Sequence, residues 1–334
     1  MITKGFAATE QGGILETFEY DLGPLGSHQV DVKVESCGLC YSDVSMIDDH
    51  WGMTTYPFVP GHEIIGTVEN TGSHVKHLQI GQRVGIGWEA GSCGTCEVCL
   101  TGHQNLCTGS TPTVLGPYGG FSERVRASAT FAIPIPTKLK ASTAGPLLCG
   151  GITVFSPMLK NNVLPIHRVG VIGIGGLGHM ALKFLSAWGC EVTAFSRSAE
   201  KEAEAKQFGA HHFVNTSDPA AIEKQKNSFD YIISTINKLE DLTPYLGALR
   251  PKGKMVLVGV VVDPIQFNMF PLLIGEKILT SGSIGSPATI AKMLDFAARH
   301  DITPLTEVFK FSEVNEAIAK LREGEIRYRG VLTH

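Results

Sequence analysis

Four cysteines lie close together in the stretch GSCGTCEVCLTGHQNLC, residues 91–107. They are Cys93, Cys96, Cys99 and Cys107, half of the eight cysteines in the chain, with the spacing C-x2-C-x2-C-x7-C. Four thiolates can surround one Zn²⁺ tetrahedrally, and short loops let neighbouring sulfurs reach the same ion. The alternatives are an iron–sulfur cluster, whose common bacterial spacing ends in C-x3-C-P, and disulfides, which are rare in a reducing compartment. The pattern favours a closed zinc site with no open position for chemistry.

A second set of candidate metal ligands is spread over three other stretches. These are CGLCYSDV at 37–44, VPGHEIIG at 59–66 and GPLLCGGIT at 145–153. A catalytic zinc takes three protein ligands and keeps one position open, and Cys40, His62 and Cys149 would supply them. Glu63 is predicted as a transient or neighbouring ligand, and Asp43 is placed to accept the other imidazole N–H of His62. Each residue alone has a structural alternative, such as a buried cysteine or a helix-capping aspartate.

The remaining cysteines and one pair of histidines fit no ligand pattern. Cys37 and Cys190 lie in apolar stretches and are predicted as core residues, because a free cysteine packs as a small hydrophobe. His211 and His212 come at the start of an expected strand, and we interpret them as structural. The chemistry is therefore expected at the scattered set and not in the four-cysteine stretch.

The second half of the chain carries a dinucleotide-binding pattern in RVGVIGIGGLGHMALKFLSAWGCEVTAFSRS, residues 168–198. An apolar strand at 169–174 leads into a glycine-rich turn, and an amphipathic helix and a second strand, CEVTAF, follow. A GxGxxG motif is weak evidence alone but strong between a strand and a helix. Its glycines allow a sharp turn and the close approach of a pyrophosphate to the helix N-terminus. The predicted cofactor contacts in this turn are Gly173, Gly175, Gly176, Leu177 and Gly178.

The end of the second strand distinguishes the two nicotinamide dinucleotides. NAD enzymes usually place an acidic residue there to accept from the ribose 2′-hydroxyl. This sequence has FSRSAEK instead, and its donors and positive charges are Ser196, Arg197, Ser198 and Lys201. A guanidinium binds a 2′-phosphate, often with two hydrogen bonds, where a carboxylate would repel it. The pattern favours NADP(H); the alternative is that Arg197 is solvated and selects no cofactor.

Length and composition set the frame for these sites. The chain has 334 residues, 43% of them apolar, and a net charge of −4. These values predict two packed domains and give no reason to expect nucleic acid or a membrane as a partner. The start lacks the apolar core of a signal peptide, and no apolar run reaches about 18 residues. A cytoplasmic enzyme acting on a small molecule is therefore expected.

Strand and turn patterns divide the chain into three segments. Residues 1–150 show short alternating strands separated by Gly- and Pro-rich turns, which predicts a barrel-like all-β domain. Residues 151–285 alternate strands with helices, which predicts a doubly wound parallel sheet. The last segment, 286–334, predicts strand, helix, strand, with its helix capped at Ser312 and ending at Gly324. Further strands of the parallel sheet are expected near 229–235, 254–261 and 277–284.

Together these motifs resemble the zinc-dependent medium-chain dehydrogenase/reductase superfamily over the full length of the chain. The match rests on C-G-x-C at 37–40 followed by Ser42-Asp43, on GHE at 61–63, on the four-cysteine stretch, on GPLLCGGIT and on GIGGLG. PLLCGGIT together with FSRS is similar to the cinnamyl-alcohol-dehydrogenase-like branch. SMIDDHWG and RVGIGW resemble the bacterial NADPH-dependent broad-range aldehyde reductases of that branch.

The resemblance implies a GroES-like catalytic domain of residues 1–150 and 286–334, with a structural zinc lobe at 91–109. A Rossmann domain of residues 151–285 would be inserted into it, with the active site in the cleft between the two domains. The implied protein is a homodimer that uses zinc and NADPH to reduce aldehydes to primary alcohols. Alternatives are an NAD-dependent alcohol or polyol dehydrogenase working oxidatively, and a zinc-stabilised nucleotide-binding protein without turnover.

The resemblance also implies which residues act on the substrate oxygen. Family positions that bind the catalytic zinc match Cys40, His62 and Cys149, with Glu63 beside them, and structural zinc ligands match the four clustered cysteines. Ser42 would hydrogen-bond the substrate oxygen and relay a proton to it. Many relatives carry histidines where this sequence has Ser45 and Tyr41, so the outer part of the proton relay stays open.

Five further positions are implied around the cofactor and substrate. Thr153 falls where the family contacts the nicotinamide, and Arg329 where a family arginine reaches the pyrophosphate. Val258 is predicted as another cofactor contact. Trp51 and Trp88 match positions that shape the substrate pocket, and the alternative is that both are core aromatics.

Overall fold

The computed structural model describes residues 1–115, 118–238 and 241–334. Over these residues the chain divides into two compact units. The first unit contains residues 1–152 and 284–334, and the second contains residues 153–283. The second unit is therefore an insertion in the first.

Short strands dominate residues 1–152. The strands are β1 (Ile2–Ala7), β2 (Glu16–Asp21), β3 (Gln29–Leu39), β4 (Ile64–Thr71), β5 (Arg83–Ile86), β6 (Glu89–Gly91), β7 (Thr111–Pro112), β8 (Arg124–Ser128) and β9 (Ile133–Pro134). The helices are α1 (Tyr41–Ile47), α2 (Glu97–Leu100) and α3 (Ala141–Ala144), with 3-10 turns at Gln104–Leu106, Ala129–Phe131 and Gly145–Leu148. Helix α4 (Gly150–Lys160) leads into the second unit.

Strands and helices alternate through the second unit. The strands are β10 (Arg168–Ile172), β11 (Glu191–Ser196), β12 (His212–Asn215), β13 (Phe229–Ser234), β14 (Leu249–Leu257) and β15 (Ile278–Ser281). The helices are α5 (Gly178–Trp188), α6 (Glu202–Gln207), α7 (Pro219–Glu223), α8 (Thr243–Ala248) and α9 (Phe270–Gly275), with a 3-10 turn at Ala199–Lys201. The final segment returns to the first unit with α10 (Pro287–Arg299), β16 (Thr306–Lys310), a 3-10 turn at Phe311–Glu313, α11 (Val314–Glu323) and β17 (Arg329–Thr333).

A seven-stranded sheet forms the body of the first unit. Its strands run in the order β16-β17-β3-β4-β5-β9, and β8 pairs with β3 beside this path. β16 and β17 are parallel, and the other pairs are antiparallel. The end of the chain therefore completes the sheet, with Leu332 of β17 opposite Cys37 of β3. Cys37 is fully buried in the core of this unit, as predicted.

The second unit is built on a six-stranded parallel sheet. Its order is β12-β11-β10-β13-β14-β15, and every pair is parallel. Counted within the unit this order is 3-2-1-4-5-6, the doubly wound arrangement that places a nucleotide at the carboxyl ends of the strands where the order reverses. The reversal falls between β10 and β13, so the glycine-rich turn after β10 lies at that point. Cys190, just before β11, is buried as predicted.

Two expected boundaries differ from the sequence prediction. The strand expected near 254–261 is β14, which starts at Leu249 and ends at Leu257, because its pairing with β13 and β15 ends there. Ser312 does not cap α11. Phe311–Glu313 form a 3-10 turn before the helix, and the carboxylate of Glu313 accepts from the backbone N–H of Lys310 at 2.8 Å. The predicted end at Gly324 is confirmed, since that residue takes the left-handed conformation.

In the described ranges, no individual helix has the length and apolar character needed to cross a membrane. The helices Ala141–Leu148 and Gly150–Lys160 pass that test only as a pair, by length and composition, with a bend of 49° between them.

Candidate metal and cofactor sites

The turn from β3 into α1 fixes the first ligand of the scattered set. Cys40 precedes the helix, and its backbone N–H donates to Oδ2 of Asp43 at 2.9 Å. The other oxygen of Asp43 accepts from the Gly61 N–H at 2.9 Å and from Nδ1 of His62 at 3.0 Å. Asp43 is therefore both the helix-capping residue and the acceptor that orients the imidazole, so the two alternatives for it were not exclusive.

Four predicted ligands converge although they come from three stretches of chain. One ligand atom each from Cys40, His62, Glu63 and Cys149 lies within 4.8 Å of the others. The two sulfurs are 3.9 Å apart, and Nε2 of His62 lies 3.2 Å from the Cys149 sulfur. Zinc–sulfur bonds of about 2.3 Å in a tetrahedron place two sulfurs about 3.8 Å apart. The donor set therefore fits a zinc ion.

The buried carboxylate of Glu63 adds a free acceptor to this set. One oxygen pairs with the guanidinium of Arg329, and both side chains are almost fully buried. The other oxygen, Oε2, is buried without a hydrogen-bond partner, and a buried orphan acceptor is costly unless a cation or donor faces it. Gly38 makes room for this carboxylate, because a Cβ there would lie 1.9 Å from Oε2.

Burial and charge shift the titration of these groups. Burial raises the pKa of Glu63 to about 7, and the positive charge of Arg329 opposes that rise. A hydrogen bond with the Cys149 thiol, together with the charge of Arg329, holds the pKa of Cys40 well below its usual value. Burial lowers the pKa of His62, but the charges and hydrogen bonds of Asp43 and Cys40 together outweigh burial and raise that pKa well above its usual range. A thiolate at Cys40 is the form that binds a metal.

Arg329 has a partner in the structure that the sequence resemblance does not predict. The resemblance assigns it to the cofactor pyrophosphate, whereas in the structure its guanidinium is paired with Glu63. Contact with a pyrophosphate would require this pair to be shared or released, and the assignment stays a prediction. The pair was missed because Glu63 and Arg329 are 266 residues apart in the chain, and no local spacing links them.

Aromatic rings cover one side of the scattered set. The ring centroid of Trp88 lies 5.0 Å from that of His62, edge to face, and that of Trp51 lies 6.1 Å from Trp88. Both tryptophans are half-buried and pack on the core of the first unit. Their packing on the core is observed, and a role as walls of a substrate pocket stays a prediction. Ser42 is half-buried on α1, Ser45 is buried one turn later and Tyr41 is exposed.

The four clustered cysteines also bring their sulfurs together. Their four sulfur atoms all lie within 4.8 Å of one another and form the second candidate metal-ligand group. The sulfur–sulfur distances are 3.9 Å for Cys93–Cys99, 3.8 Å for Cys96–Cys107 and 3.5 Å for Cys93–Cys107. These values match the edge of about 3.8 Å of a ZnS₄ tetrahedron and are far from a disulfide bond of about 2.05 Å. The pKa of Cys93 is lowered to about 6, mainly by a hydrogen bond from the backbone of Thr95 and next by one from the backbone of Cys96.

The glycine-rich turn has the shape that a pyrophosphate needs. Gly173 has a φ of 88°, and a Cβ on Gly178 would lie 1.8 Å from the Gly173 carbonyl oxygen. A Cβ on Gly175 would meet only open space, which leaves the backbone open to close approach. Thr235, which the motif did not reveal, donates to the carbonyls of Ile172 at 2.9 Å and Gly173 at 3.1 Å and so holds the turn in place.

The residues predicted to read the 2′-phosphate lie at the end of β11. Ser196 accepts from the Ser198 N–H at 3.2 Å, and Arg197 is exposed beside it. Lys201 donates to the carbonyl of Ile174 in the glycine-rich turn at 2.8 Å, so its ammonium lies at the turn. Gly176 and Leu177 are half-buried within that turn, Thr153 is half-buried on α4, and Val258 is buried directly after β14.

The predicted structural histidines contact backbone and side chains within the second unit. His211 accepts from the Val192 N–H at 3.0 Å, and His212 pairs with Glu191 at 2.9 Å. Neither belongs to a group of three or more metal ligands among the described residues. Their interpretation as structural residues agrees with these contacts.

Comparison with known proteins places this architecture in a family. The family model for the alcohol dehydrogenase GroES-like domain matches residues 26–137, and the model for zinc-binding dehydrogenases matches residues 176–299. Aldehyde reductase AdhA of Synechocystis is 51% identical over 331 residues, which cover 99% of this chain and 98% of that protein. The chain therefore belongs to the zinc-binding dehydrogenases, in the cinnamyl-alcohol-dehydrogenase-like branch of the medium-chain superfamily.

Solved structures give the same result. A cinnamyl alcohol dehydrogenase from Sorghum bicolor superposes with a TM-score of 0.96 at 37% identity, covering 100% of this chain and 98% of that one. The enzyme of this type from Helicobacter pylori, complexed with NADP(H), gives a TM-score of 0.91 at 30% identity with the same coverage. The predictions of the family, of a GroES-like part with a Rossmann parallel sheet, and of an oxidoreductase of the alcohol dehydrogenase type are confirmed.

Proposed function

We propose that this protein uses NADPH to reduce aldehydes to primary alcohols, with one zinc ion in the reaction and a second that is structural. The observation that carries the proposal is the convergence of Cys40, His62, Cys149 and a carboxylate oxygen of Glu63, together with the unpaired Oε2 of that carboxylate. The identity of 51% with an aldehyde reductase over nearly the whole chain supports the direction of the reaction.

The scattered set would hold the catalytic ion. When bound, zinc supplies a Lewis acid that polarises a carbonyl oxygen. Cys40 and Cys149 would bind it as thiolates and His62 through Nε2, because Nδ1 of His62 is committed to Asp43 at 3.0 Å. Glu63 would add negative charge beside the ion, balanced by Arg329. Trp88 and Trp51 would exclude water from the side they cover.

The proton and the hydride have different sources. NADPH, when bound, supplies the hydride. The hydroxyl of Ser42 would donate a proton to the substrate oxygen, which completes the addition of hydride and proton to the carbonyl. Ser42 and Ser45 are three residues apart on α1, so both lie on the same side of the helix. We propose that Ser45 and water replace the histidine of the usual relay.

The insertion of residues 153–283, which we assign as the Rossmann domain, would bind the cofactor. The glycine-rich turn would receive the pyrophosphate at the start of α5, and Arg197 would pair with the 2′-phosphate, assisted by Ser196, Ser198 and Lys201. Thr153, Val258 and Arg329 are proposed as further cofactor contacts. The NADP(H) complex of the Helicobacter pylori relative supports this choice of cofactor.

A cofactor-preference experiment tests the proposal. Arg197→Asp replaces the proposed phosphate ligand with a like charge, and we expect the ratio of kcat/KM for NADPH over NADH to fall by about 100-fold or more. Arg197→Lys is the matched control, since it keeps the charge and loses the two-pronged geometry; a fall of about tenfold or less is expected. An unchanged ratio in Arg197→Asp contradicts the cofactor assignment. Higher efficiency with alcohol and NAD than with aldehyde and NADPH contradicts the reaction.

We also propose a homodimer formed along β15, in the cytoplasm. β15 is the last strand of its sheet, and an open strand edge offers N–H and C=O groups to another chain. Beside this strand lie exposed apolar side chains, and a patch of such side chains is typical of a protein–protein interface. They are Phe267, Met269, Phe270, Leu273, Ile274 and Ile278.

The assembly is tested by sedimentation. Leu273→Asp places a charge in the apolar patch and is expected to shift the wild-type dimer to monomer. Ile166→Asp, at another exposed apolar position of the second unit, is the matched control and should leave the dimer intact. A wild-type monomer at micromolar concentration contradicts the dimer.

A further inference from the structure

Two histidine side chains contact each other on the surface of the first unit. They are separate from the scattered set and from the four clustered cysteines. Nδ1 of His74 and Nε2 of His28 lie 3.1 Å apart, with ring centroids 4.8 Å apart and ring planes inclined by 67°. Both side chains are exposed. We propose that this pair chelates a divalent first-row transition ion, which makes it a third metal site of the chain.

The distance between the two nitrogens suits a shared ion. Metal–nitrogen bonds of about 2.05 Å and donors 3.1 Å apart give an angle of about 100° at the ion. That angle lies between those of square-planar and tetrahedral coordination, both common for imidazole-bound ions. The hydrogen bond now points one nitrogen at the other, so each ring must turn by roughly 40° to face the ion. Exposed side chains change rotamer within nanoseconds, and the bonds to the ion would replace the hydrogen bond between the rings.

The backbone on both sides of the pair is already fixed. The N–H of His74 donates to the carbonyl of Ser27 at 2.9 Å, and the carbonyl of His28 accepts from the Ala129 N–H at 2.9 Å. The Gly72 N–H donates to the Gln29 carbonyl at 2.8 Å. The turn before β3 and the loop after β4 are therefore joined before any ion arrives. Little chain entropy remains to be lost on binding, which favours affinity.

The ligands determine the class of ion. Two imidazoles suit Zn²⁺, Ni²⁺ and Cu²⁺, whereas Ca²⁺ and Mg²⁺ prefer oxygen. In the part of the chain that the structure describes, the groups of three or more His, Cys, Asp or Glu ligand atoms are the two thiolate groups. Water would therefore complete the shell, and the ion would exchange. The nearby Lys76 directs its ammonium to the carbonyl of Ser73 at 3.0 Å.

Equilibrium dialysis of the untagged, zinc-loaded protein against Ni²⁺ tests the site. We expect one nickel per chain beyond the zinc already bound, and a loss of affinity of at least about tenfold in both His28→Ala and His74→Ala. His77→Ala is the matched control. Its imidazole belongs to the same loop and contacts the Ala129 carbonyl at 3.1 Å, so its removal should leave nickel binding unchanged.

Two further measurements keep the result interpretable. His28→Asn retains a polar side chain, and an unchanged melting temperature without nickel together with lost binding supports the site. Nickel should raise the melting temperature of the wild type and of His77→Ala but not of His74→Ala. Unchanged nickel affinity in both pair variants, or nickel uptake only with release of zinc, overturns the proposal. Aldehyde reduction should be unaffected by every variant, so the outcome is independent of the proposed reaction.

Discussion

The two groups of metal ligands in this chain, the four-cysteine lobe and the scattered group of Cys40, His62, Glu63 and Cys149, both bring their ligand atoms within 4.8 Å of one another. They differ in how far apart these ligands lie in the sequence. The lobe ligands come from one stretch of fifteen residues, and Cys93 at its start is exposed. The scattered ligands come from three stretches, and Cys40 and Cys149 are 109 residues apart, while His62 and Glu63 are fully buried. The lobe can bind its ion with ligands that are close in the sequence. The ligands of the scattered group come together only after the sheet of the first unit has formed.

The donors of the two groups differ as much as their routes. The lobe offers four sulfurs, which close the coordination shell. The scattered group offers two sulfurs, one imidazole and a carboxylate oxygen without a partner. It is also surrounded by Asp43, Arg329 and Trp88, each of which contacts one of its ligands. These donors suit the roles we propose, a structural ion in the lobe and a catalytic ion in the scattered group.

Removing a ligand from the scattered group should give the largest effect on activity. His62→Ala takes away a nitrogen ligand from the buried group, and we expect kcat/KM for aldehyde reduction to fall by about 1,000-fold or more, because metal polarisation of a carbonyl contributes several kcal/mol. Steady-state kinetics and zinc analysis on the same sample measure it.

The control for this change is His103→Ala, which removes an imidazole from the lobe stretch outside both ligand groups. It should retain both zinc ions and most of the activity. Wild-type activity in His62→Ala with one zinc ion lost would contradict a catalytic role for the scattered group.

Removing a ligand from the lobe should act on stability instead. Cys99→Ser leaves three sulfurs, and we expect loss of one zinc ion and of about 3 kcal/mol or more of stability, because binding of a structural zinc contributes directly to folding. Urea unfolding and protease cleavage within residues 91–109 measure this. His103→Ala, within the same stretch but in neither ligand group, is the control. Full stability with one zinc ion per chain would show that the lobe is dispensable.

The same contrast decides how much the sequence could predict. The lobe could be predicted in detail because its spacing is local, and the parallel sheet could be predicted because the glycine-rich turn and the alternation of strands and helices are local too. The scattered group could be proposed from its residue types, but each residue alone has a structural alternative, and the family resemblance strengthened the prediction. The Glu63–Arg329 pair and the His28–His74 pair escaped because each depends on strand pairing that brings distant segments together. Ser312 failed as a cap because an intervening 3-10 turn shifts the start of α11.

Asp43 offers a smaller and more selective change in the scattered group. Asp43→Asn keeps the shape of the side chain but removes the charge that orients His62, and we expect zinc affinity at this group to fall by about 10- to 100-fold. Competition with a chelator at graded concentrations measures the affinity, with the lobe zinc as an internal reference. Asp48→Asn, just after α1, is the control. Equal loss from both groups would mean that the variant is generally unfolded.

The smallest predicted effect lies on β6, the strand that connects Trp88 beside His62 to the lobe. Glu89 is buried there, and burial raises its pKa to about 7. An unfolded glutamate titrates near 4.3, so the folded state resists ionisation. At a pH well below this value both states are protonated, and burial of the charge costs nothing. As pH rises towards 7 the unfolded state ionises first, and stability falls.

Glu89→Gln removes the ionisation and keeps the side-chain size. We expect the variant to be more stable than the wild type by about 1–2 kcal/mol at pH 8, and by a few tenths of a kcal/mol at pH 5. Urea midpoints at the two pH values measure the difference. The exposed Glu97→Gln, in the lobe, is the matched control for loss of a surface carboxylate. If the stability difference between Glu89→Gln and the wild type is the same at both pH values, the effect comes from packing. Ionisation of the buried Glu89 carboxylate would then not destabilise the folded state.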